Sequence, residues 1–258
     1  MTSTASTPSL PTLSARPRPL AARVRAVVRL LLGNPWTAIY TPLLILTFIV
    51  LVNAAIWGII RANIPPEGES ASNVNGGALF LFVYMLVVAV QSVNQTFHLA
   101  LGYGSTRRDF MLGFGVFAVM LSIGYAALLA TLSAIETATG GWGIRLNFFE
   151  TATAGLDTWG EAVLLGTLAF LLFFGIGAAT ASVYVRWKAS GMYVFWAGLV
   201  VLVLGGAVLI TWLQAWQQVG AFFVAAGIIG SAAWSLIITA LCALAAWLIL
   251  RRATPSQG

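Results

Sequence analysis

Long apolar runs alternate with short polar connections over most of this 258-residue chain. Six of the runs come near the roughly 20 residues that an α-helix needs to cross a hydrocarbon core. The pattern therefore predicts an all-α membrane protein, with a domain of six transmembrane helices inside residues 41–250. The predicted spans are 41–60, 78–101, 110–135, 162–185, 192–213 and 231–250.

The last apolar region, 221–250, is too long for one simple span. Glycines at positions 220, 227 and 230 mark places where a helix can be interrupted. We therefore divide this part of the chain into a final span and a short preceding segment, 214–230. The short segment is predicted to be re-entrant, dipping partway into the membrane and returning.

The first part of the chain has a different pattern. Residues 1–19 are rich in Ser, Thr and Pro, cannot bury enough apolar surface to fold, and are predicted to form a disordered cytoplasmic N-terminus. Over residues 20–33, apolar side chains fall on one side of a helix. Arg25 and Arg29 fall on the opposite side, and Arg23 lies at the flank. This pattern predicts an amphipathic helix in the membrane interface.

Composition supports lipid as the main solvent. The chain is 60% hydrophobic and 8% charged, whereas an ordinary soluble domain is about 25% charged. The net charge of +6 comes from basic residues that flank apolar runs. That arrangement is typical of membrane topology rather than of a nucleic-acid interface, so we expect membrane lipid and no nucleic acid as a partner.

The distribution of basic residues predicts the orientation. With the N-terminus in the cytoplasm, the cytoplasmic segments hold 11 of the 13 basic residues, and the inverted topology would put those 11 outside. We therefore expect a multi-pass protein of the cell (inner) membrane with both termini cytoplasmic, including a tail at 251–258. The 11 residues are Arg16, Arg18, Arg23, Arg25, Arg29, Arg107, Arg108, Arg186, Lys188, Arg251 and Arg252.

The connection between the second and third spans concentrates polar chemistry in the sequence ALGYGSTRRDF, residues 100–110. We expect Ser105 or Thr106 to cap a short following helix and Asp109 to lie in its first turn, with both arginines projecting into the cytoplasm. Two interpretations are open: a turn with a positive-inside anchor, or a rigid surface on which another protein docks. The residues concerned are Gly102, Gly104, Ser105, Thr106, Arg107, Arg108, Asp109 and Phe110.

A second polar group lies within the second span. Its spacing of i, i+3, i+4 and i+7 places four side chains on one helical face, which should contact other helices or water rather than lipid. The face either bonds helices together or lines a translocation path or a dimer seam, and both interpretations are open. Its members are Gln91, Asn94, Gln95 and His98.

Enzymatic functions lack the residues they require. A phosphate-binding loop needs a Gly-Lys pair, and the one lysine of the chain, Lys188, follows a tryptophan. The one histidine, His98, cannot form a paired metal site, and no G-x-S-x-G sequence accompanies it. We predict no catalytic residues, no metal site and no cofactor bound by this chain.

The sequence Gly104-Ser105-Thr106-Arg107-Arg108-Asp109-Phe110 resembles a G-x-[ST]-R-R-x-F-like motif in the first cytoplasmic loop of ABC-2-type transporter permeases. Together with the architecture, the chain resembles the membrane subunits of these bacterial exporter-like systems. The resemblance implies an interface helix before span one, a short cytoplasmic coupling helix over 102–110 and short dipping helices between spans five and six. The segment available for those dipping helices is shorter than the family pattern.

The resemblance further implies two kinds of partner subunit. A separate ABC ATP-binding subunit would bind ATP and Mg, and a second copy or a related permease would complete the membrane part. The low charge at membrane depth favours a hydrophobic or amphipathic substrate. The alternative is a scaffold or sensor subunit of a membrane complex, with the same topology and no transport activity.

Overall fold

The computed structural model describes residues 19–63, 76–156 and 158–251, without the side chains of Arg61 and Arg145. The predictions for 1–19 and for the tail at 251–258 fall almost entirely outside these ranges. Within them the chain forms helices and turns and contains no β-strand, so the all-α class is confirmed. Five of these helices are long and apolar enough to cross a membrane.

The long helices match most of the apolar runs, with ends that differ by a few residues. A π-helical turn at Trp36–Tyr40 leads into α2, and an irregular turn at Gly141–Arg145 follows α4. The helices are α1 (Leu20–Leu31), α2 (Thr41–Asn63), α3 (Phe80–Gly102), α4 (Arg107–Ala138), α5 (Glu150–Thr153), α6 (Trp159–Trp212) and α7 (Trp216–Leu250).

The longest helix, α6, is interrupted at Lys188, where φ is 55° and ψ is −146°. A straight helix would separate Val183 and Gly191 by about 12 Å along its axis. A Cβ atom on Gly191 would instead lie 3.4 Å from Val183 Cγ1, so the chain folds back sharply at the break. The two parts of α6 correspond to the predicted fourth and fifth spans.

The last helix, α7, is interrupted at Gly227, where φ is 67° and ψ is −179°. Glycine adopts this conformation with little strain because it has no Cβ. The sequence predicted an interruption between residues 230 and 231, three residues later than the one observed. The turn between α6 and α7 contains Gln214, whose φ is 53°.

The packed core lies where the first part of α6 contacts α3 and α4, and among the described residues of α7 only Ala246 and Leu250 are buried in it. Aromatic rings of α3, α4 and the first part of α6 contact one another there. The ring centroids of Phe82 and Phe170 are 4.4 Å apart, and Phe174 lies 6.3 Å from Phe117. Helix α2 makes few contacts with this core, and large apolar side chains along it are exposed.

The π-helical turn before α2 is held by two tyrosines from neighbouring helices. Tyr125 of α4 donates a hydrogen bond from its hydroxyl to the carbonyl oxygen of Ala38, at 2.7 Å. Tyr84 of α3 donates to the carbonyl oxygen of Thr37, at 3.2 Å. Irregular backbone at membrane depth must find such partners because lipid offers none.

Helix α1 packs on α4 through its apolar face. Val27 and Leu31 are buried, and a Cβ atom on Gly113 of α4 would lie 2.5 Å from Val27 Cγ1. Part of the face that we assigned to the membrane interface is thus occupied by protein. Arg25 and Arg29 are exposed, as the helical pattern predicts.

The close contact of α3 and α6 at Gly177 should be sensitive to a single methyl group. A Cβ atom there would lie 2.6 Å from the Leu86 carbonyl oxygen and 2.7 Å from Ala89 Cβ. Because one of these atoms belongs to the backbone, the two helices must move apart in Gly177→Ala. We expect a loss of about 1–3 kcal/mol, measured as a lower unfolding temperature in detergent.

The matched control is Gly115→Ala in α4. No atom lies within 4 Å of a Cβ at Gly115, so that methyl group meets open space. Its unfolding temperature should equal that of the unaltered protein or exceed it slightly, because alanine favours a helix. Equal losses in both variants would contradict the close contact at Gly177.

Candidate functional site

The turn between α3 and α4 is tightly hydrogen-bonded. Gly104 has a φ of 79°, in the left-handed region that favours glycine. The amide of Gly104 donates to the Leu101 carbonyl, and the amide of Ser105 donates to the Ala100 carbonyl, both at 3.0 Å. This pair of bonds is the Schellman pattern, which fixes the direction in which the chain leaves α3.

A reciprocal cap begins α4. The Asp109 amide donates to the Thr106 hydroxyl at 3.1 Å, and the Thr106 amide donates to Asp109 Oδ2 at 3.4 Å. The expected cap by Thr106 and the expected place of Asp109 in the first turn are confirmed. The separate short helix is not present, because α4 runs from Arg107 to Ala138 without interruption.

The same carboxylate connects α4 to α1. Asp109 is almost completely buried, and Arg23 of α1 donates from Nη1 to Asp109 Oδ2 at 3.1 Å. Burying a carboxylate is costly unless hydrogen bonds and an opposite charge compensate it. Asp109 has both, so one side chain fixes the start of α4 and the position of α1.

The two arginines have different environments. Arg107 donates from Nη1 to the carbonyl oxygens of Leu250 and Arg251, at 2.9 and 2.8 Å. It therefore satisfies carbonyl groups that the end of α7 leaves open, where the helix dipole also favours a cation. Arg108 is exposed and makes no hydrogen bond or ion pair with another described residue.

These contacts bring three elements together at one end of the bundle. We call this region the joined end: Arg23 of α1, the segment 102–109, and Leu250-Arg251 at the end of α7. Gly102 and Tyr103 are exposed on its surface. Phe110 lies fully buried below it, with its ring centroid 5.2 Å from that of Phe97. The turn is thus a firmly supported surface.

The polar group of α3 is divided between the interior and the surface. Gln91 and Asn94 are half-buried, whereas Gln95 and His98 are exposed. The Oδ1 atom of Asn94 is buried and accepts no hydrogen bond from any described residue. The structure thus places the four residues on α3 as the spacing predicts, and it does not bring them to a common partner.

The opposite end of the bundle contains a carboxylate that sequence reasoning did not single out. Glu136, near the end of α4, is buried and accepts hydrogen bonds from four N–H groups. The Trp142 indole and the Phe148 and Phe149 amides donate at 3.0 Å, and the Glu150 amide donates at 3.2 Å. We call the segment folded around it, residues 139–150, the distal loop.

The distal loop also holds α2. The Trp57 indole donates to the Ile144 carbonyl oxygen at 2.9 Å. Helix α4 begins in the joined end and reaches Glu136 near its other end, so the joined end and the distal loop lie at opposite ends of the bundle. The sequence offered one signal for this site, a glutamate in a chain with few acidic residues. It did not show which N–H groups would bind the carboxylate.

In the described part of the chain, no group of three or more His, Cys, Asp or Glu side chains is placed to hold a metal ion. Comparison with known proteins finds no matching family model, no similar curated protein and no similar solved structure.

Proposed function

We propose that this chain is the permease subunit of an ABC-2-like transporter in the cell membrane. A separate ATPase subunit, which binds ATP and Mg, would drive a hydrophobic or amphipathic substrate across the membrane. The single observation that carries the proposal is the joined end. A basic, exposed turn that is firmly supported from below is suited to receive force from a soluble partner.

The contacts supply a path for that force. Pressure on Arg108 would be transmitted through the cap of α4 to Asp109 and from there to Arg23 of α1. Arg107 would transmit the same displacement to the end of α7. One push on the turn would therefore move α1, α4 and α7 together, which is what coupling to an ATPase requires.

Six crossings with both termini in the cytoplasm belong to this proposal. At 1.5 Å per residue, the 54 residues of α6 would span about 81 Å, far more than a hydrocarbon core of about 30 Å. The fold-back at Lys188 supports two crossings by α6. An even number of crossings then agrees with the meeting of α1 and the end of α7 at the joined end.

We further propose a second permease subunit against α2 and α3. Polar Gln95 and His98 are exposed on the surface of α3, a helix long and apolar enough to cross a membrane, and facing lipid would be costly for them. A neighbouring subunit or an aqueous path would satisfy them. The remaining parts of the proposal are an interface position for α1 and a re-entrant path for the part of α7 before Gly227.

The test is affinity purification of the full chain from its own host in mild detergent. The proposal predicts an associated ATPase in a two-to-two complex, with ATP hydrolysis that rises when hydrophobic compounds are added. A purified complex without any ATP-hydrolysing subunit would favour the scaffold or sensor function instead.

A further inference from the structure

An apolar cavity of about 550 Å³ lies beside the Lys188 break. It is formed by the two parts of α6 on either side of the break and by the end of α7. Its size is within the range of sites for small molecules or single chains of larger ones. Its lining includes Ala179, Val183, Trp187, Val194, Ala245 and Ile249.

Two basic residues flank Trp187, one of the residues that line this cavity. The Arg186 guanidinium lies 4.6 Å from the centroid of the Trp187 ring, which lines the cavity. Lys188 follows at the break itself. Ile249, also in the lining, is two residues from Arg251, whose carbonyl oxygen accepts the hydrogen bond from Arg107.

The described residues that line the cavity include no acidic side chain. Within the joined end the one carboxylate among the described residues is Asp109, and Arg23 already neutralises it. The cavity thus offers an apolar interior and an uncompensated positive border. That combination complements a molecule with an acyl chain and a phosphate group.

We propose that this cavity binds an anionic phospholipid. One acyl chain lies against Val183, Val194 and Ile249, and the headgroup phosphate contacts Arg186 and Lys188. Basic pockets between membrane helices bind anionic headgroups in this way. The Trp187 indole lies between the two regions, the place that tryptophan prefers at a membrane interface. The site is separate from the proposed transport activity and does not depend on it.

The test measures lipid binding to the delipidated full chain in mild detergent by native mass spectrometry. The probes are phosphatidylglycerol and phosphatidylcholine with identical acyl chains. The double variant Arg186→Gln/Lys188→Gln should bind phosphatidylglycerol roughly 25-fold more weakly, about fivefold for each basic side chain. Phosphatidylcholine should bind more weakly than phosphatidylglycerol to the unaltered protein, and the double variant should bind phosphatidylcholine as the unaltered protein does.

Two further variants complete the test. Arg61→Gln/Arg145→Gln removes the same charge at the opposite end of the bundle, at the end of α2 and in the distal loop, and should leave phosphatidylglycerol binding unchanged. Ala245→Phe fills the cavity and should weaken the binding of both lipids. Equal loss in Arg61→Gln/Arg145→Gln, or no preference for phosphatidylglycerol in the unaltered protein, would overturn the proposal. So would unchanged phosphatidylglycerol binding after removal of Arg186 and Lys188.

Discussion

Glu136→Gln is expected to loosen the distal loop and to lower the unfolding temperature of the protein by roughly 6–12 °C. The carboxylate accepts hydrogen bonds from four N–H groups, three of them backbone amides. The glutamine side chain keeps one acceptor oxygen, but its NH₂ group is a donor and would face N–H groups that need an acceptor. Buried donors left without acceptors cost about 1–3 kcal/mol each, so a loss of about 3 kcal/mol is expected.

The matched control is Glu150→Gln, which removes the same charge from the same loop. The Glu150 side chain is exposed, and its amide donates to Glu136 whatever the side chain is. Its unfolding temperature should change by less than about 2 °C, as is usual for an exposed substitution. Proteolysis within residues 139–156 should increase in Glu136→Gln alone. Equal behaviour of the two variants would contradict the role of Glu136.

Arg108→Glu is expected to abolish transport and the association with the ATPase, while the protein still inserts and folds. The Arg108 side chain is exposed and makes no hydrogen bond or ion pair with another described residue, so the substitution removes a surface for a partner without removing an internal contact. A reversed charge facing a complementary partner costs several kcal/mol, which exceeds what a transient complex can lose. The measurement is ATPase recovery after affinity purification, together with substrate transport.

Two controls separate docking from stability. Arg29→Glu makes the same change of charge on the exposed face of α1 and should leave ATPase recovery intact. Arg107→Glu places a carboxylate against the carbonyl oxygens of Leu250 and Arg251. It should therefore lower the unfolding temperature in addition to reducing ATPase recovery. Wild-type transport by Arg108→Glu would show that the turn does not couple the subunits.

The periodicity of the sequence predicted the helices well, because each long apolar run must form its own backbone hydrogen bonds in lipid. Local chemistry also predicted a cap by Ser105 or Thr106, and Thr106 forms it with Asp109, three residues away. Thr158 and Glu161 have the spacing of a capping box at the start of α6, but that helix has no side-chain cap. Residue types permit a cap, but the backbone geometry at the helix start decides whether it forms.

The contacts that define the joined end could not be predicted in the same way. Arg23 and Asp109 are 86 residues apart, and Arg107 and Leu250 are 143 residues apart. Their pairing depends on how α1 and α7 pack against α4, which a helical pattern does not specify. The prediction that both arginines project from the turn was correct for Arg108 and wrong for Arg107, because the end of α7 offered unpaired carbonyl groups.

The proposed coupling requires that the joined end face the cytoplasm, where an ATPase can act on it. Labelling of a single cysteine by a membrane-impermeant maleimide tests this directly, in a Cys242→Ser background. Tyr103→Cys, at an exposed position of the turn, should be labelled in inverted membrane vesicles and stay unlabelled in intact cells. Asn147→Cys, exposed in the distal loop, should give the reverse result. Labelling of Tyr103→Cys from outside intact cells would contradict the orientation and the proposed coupling with it.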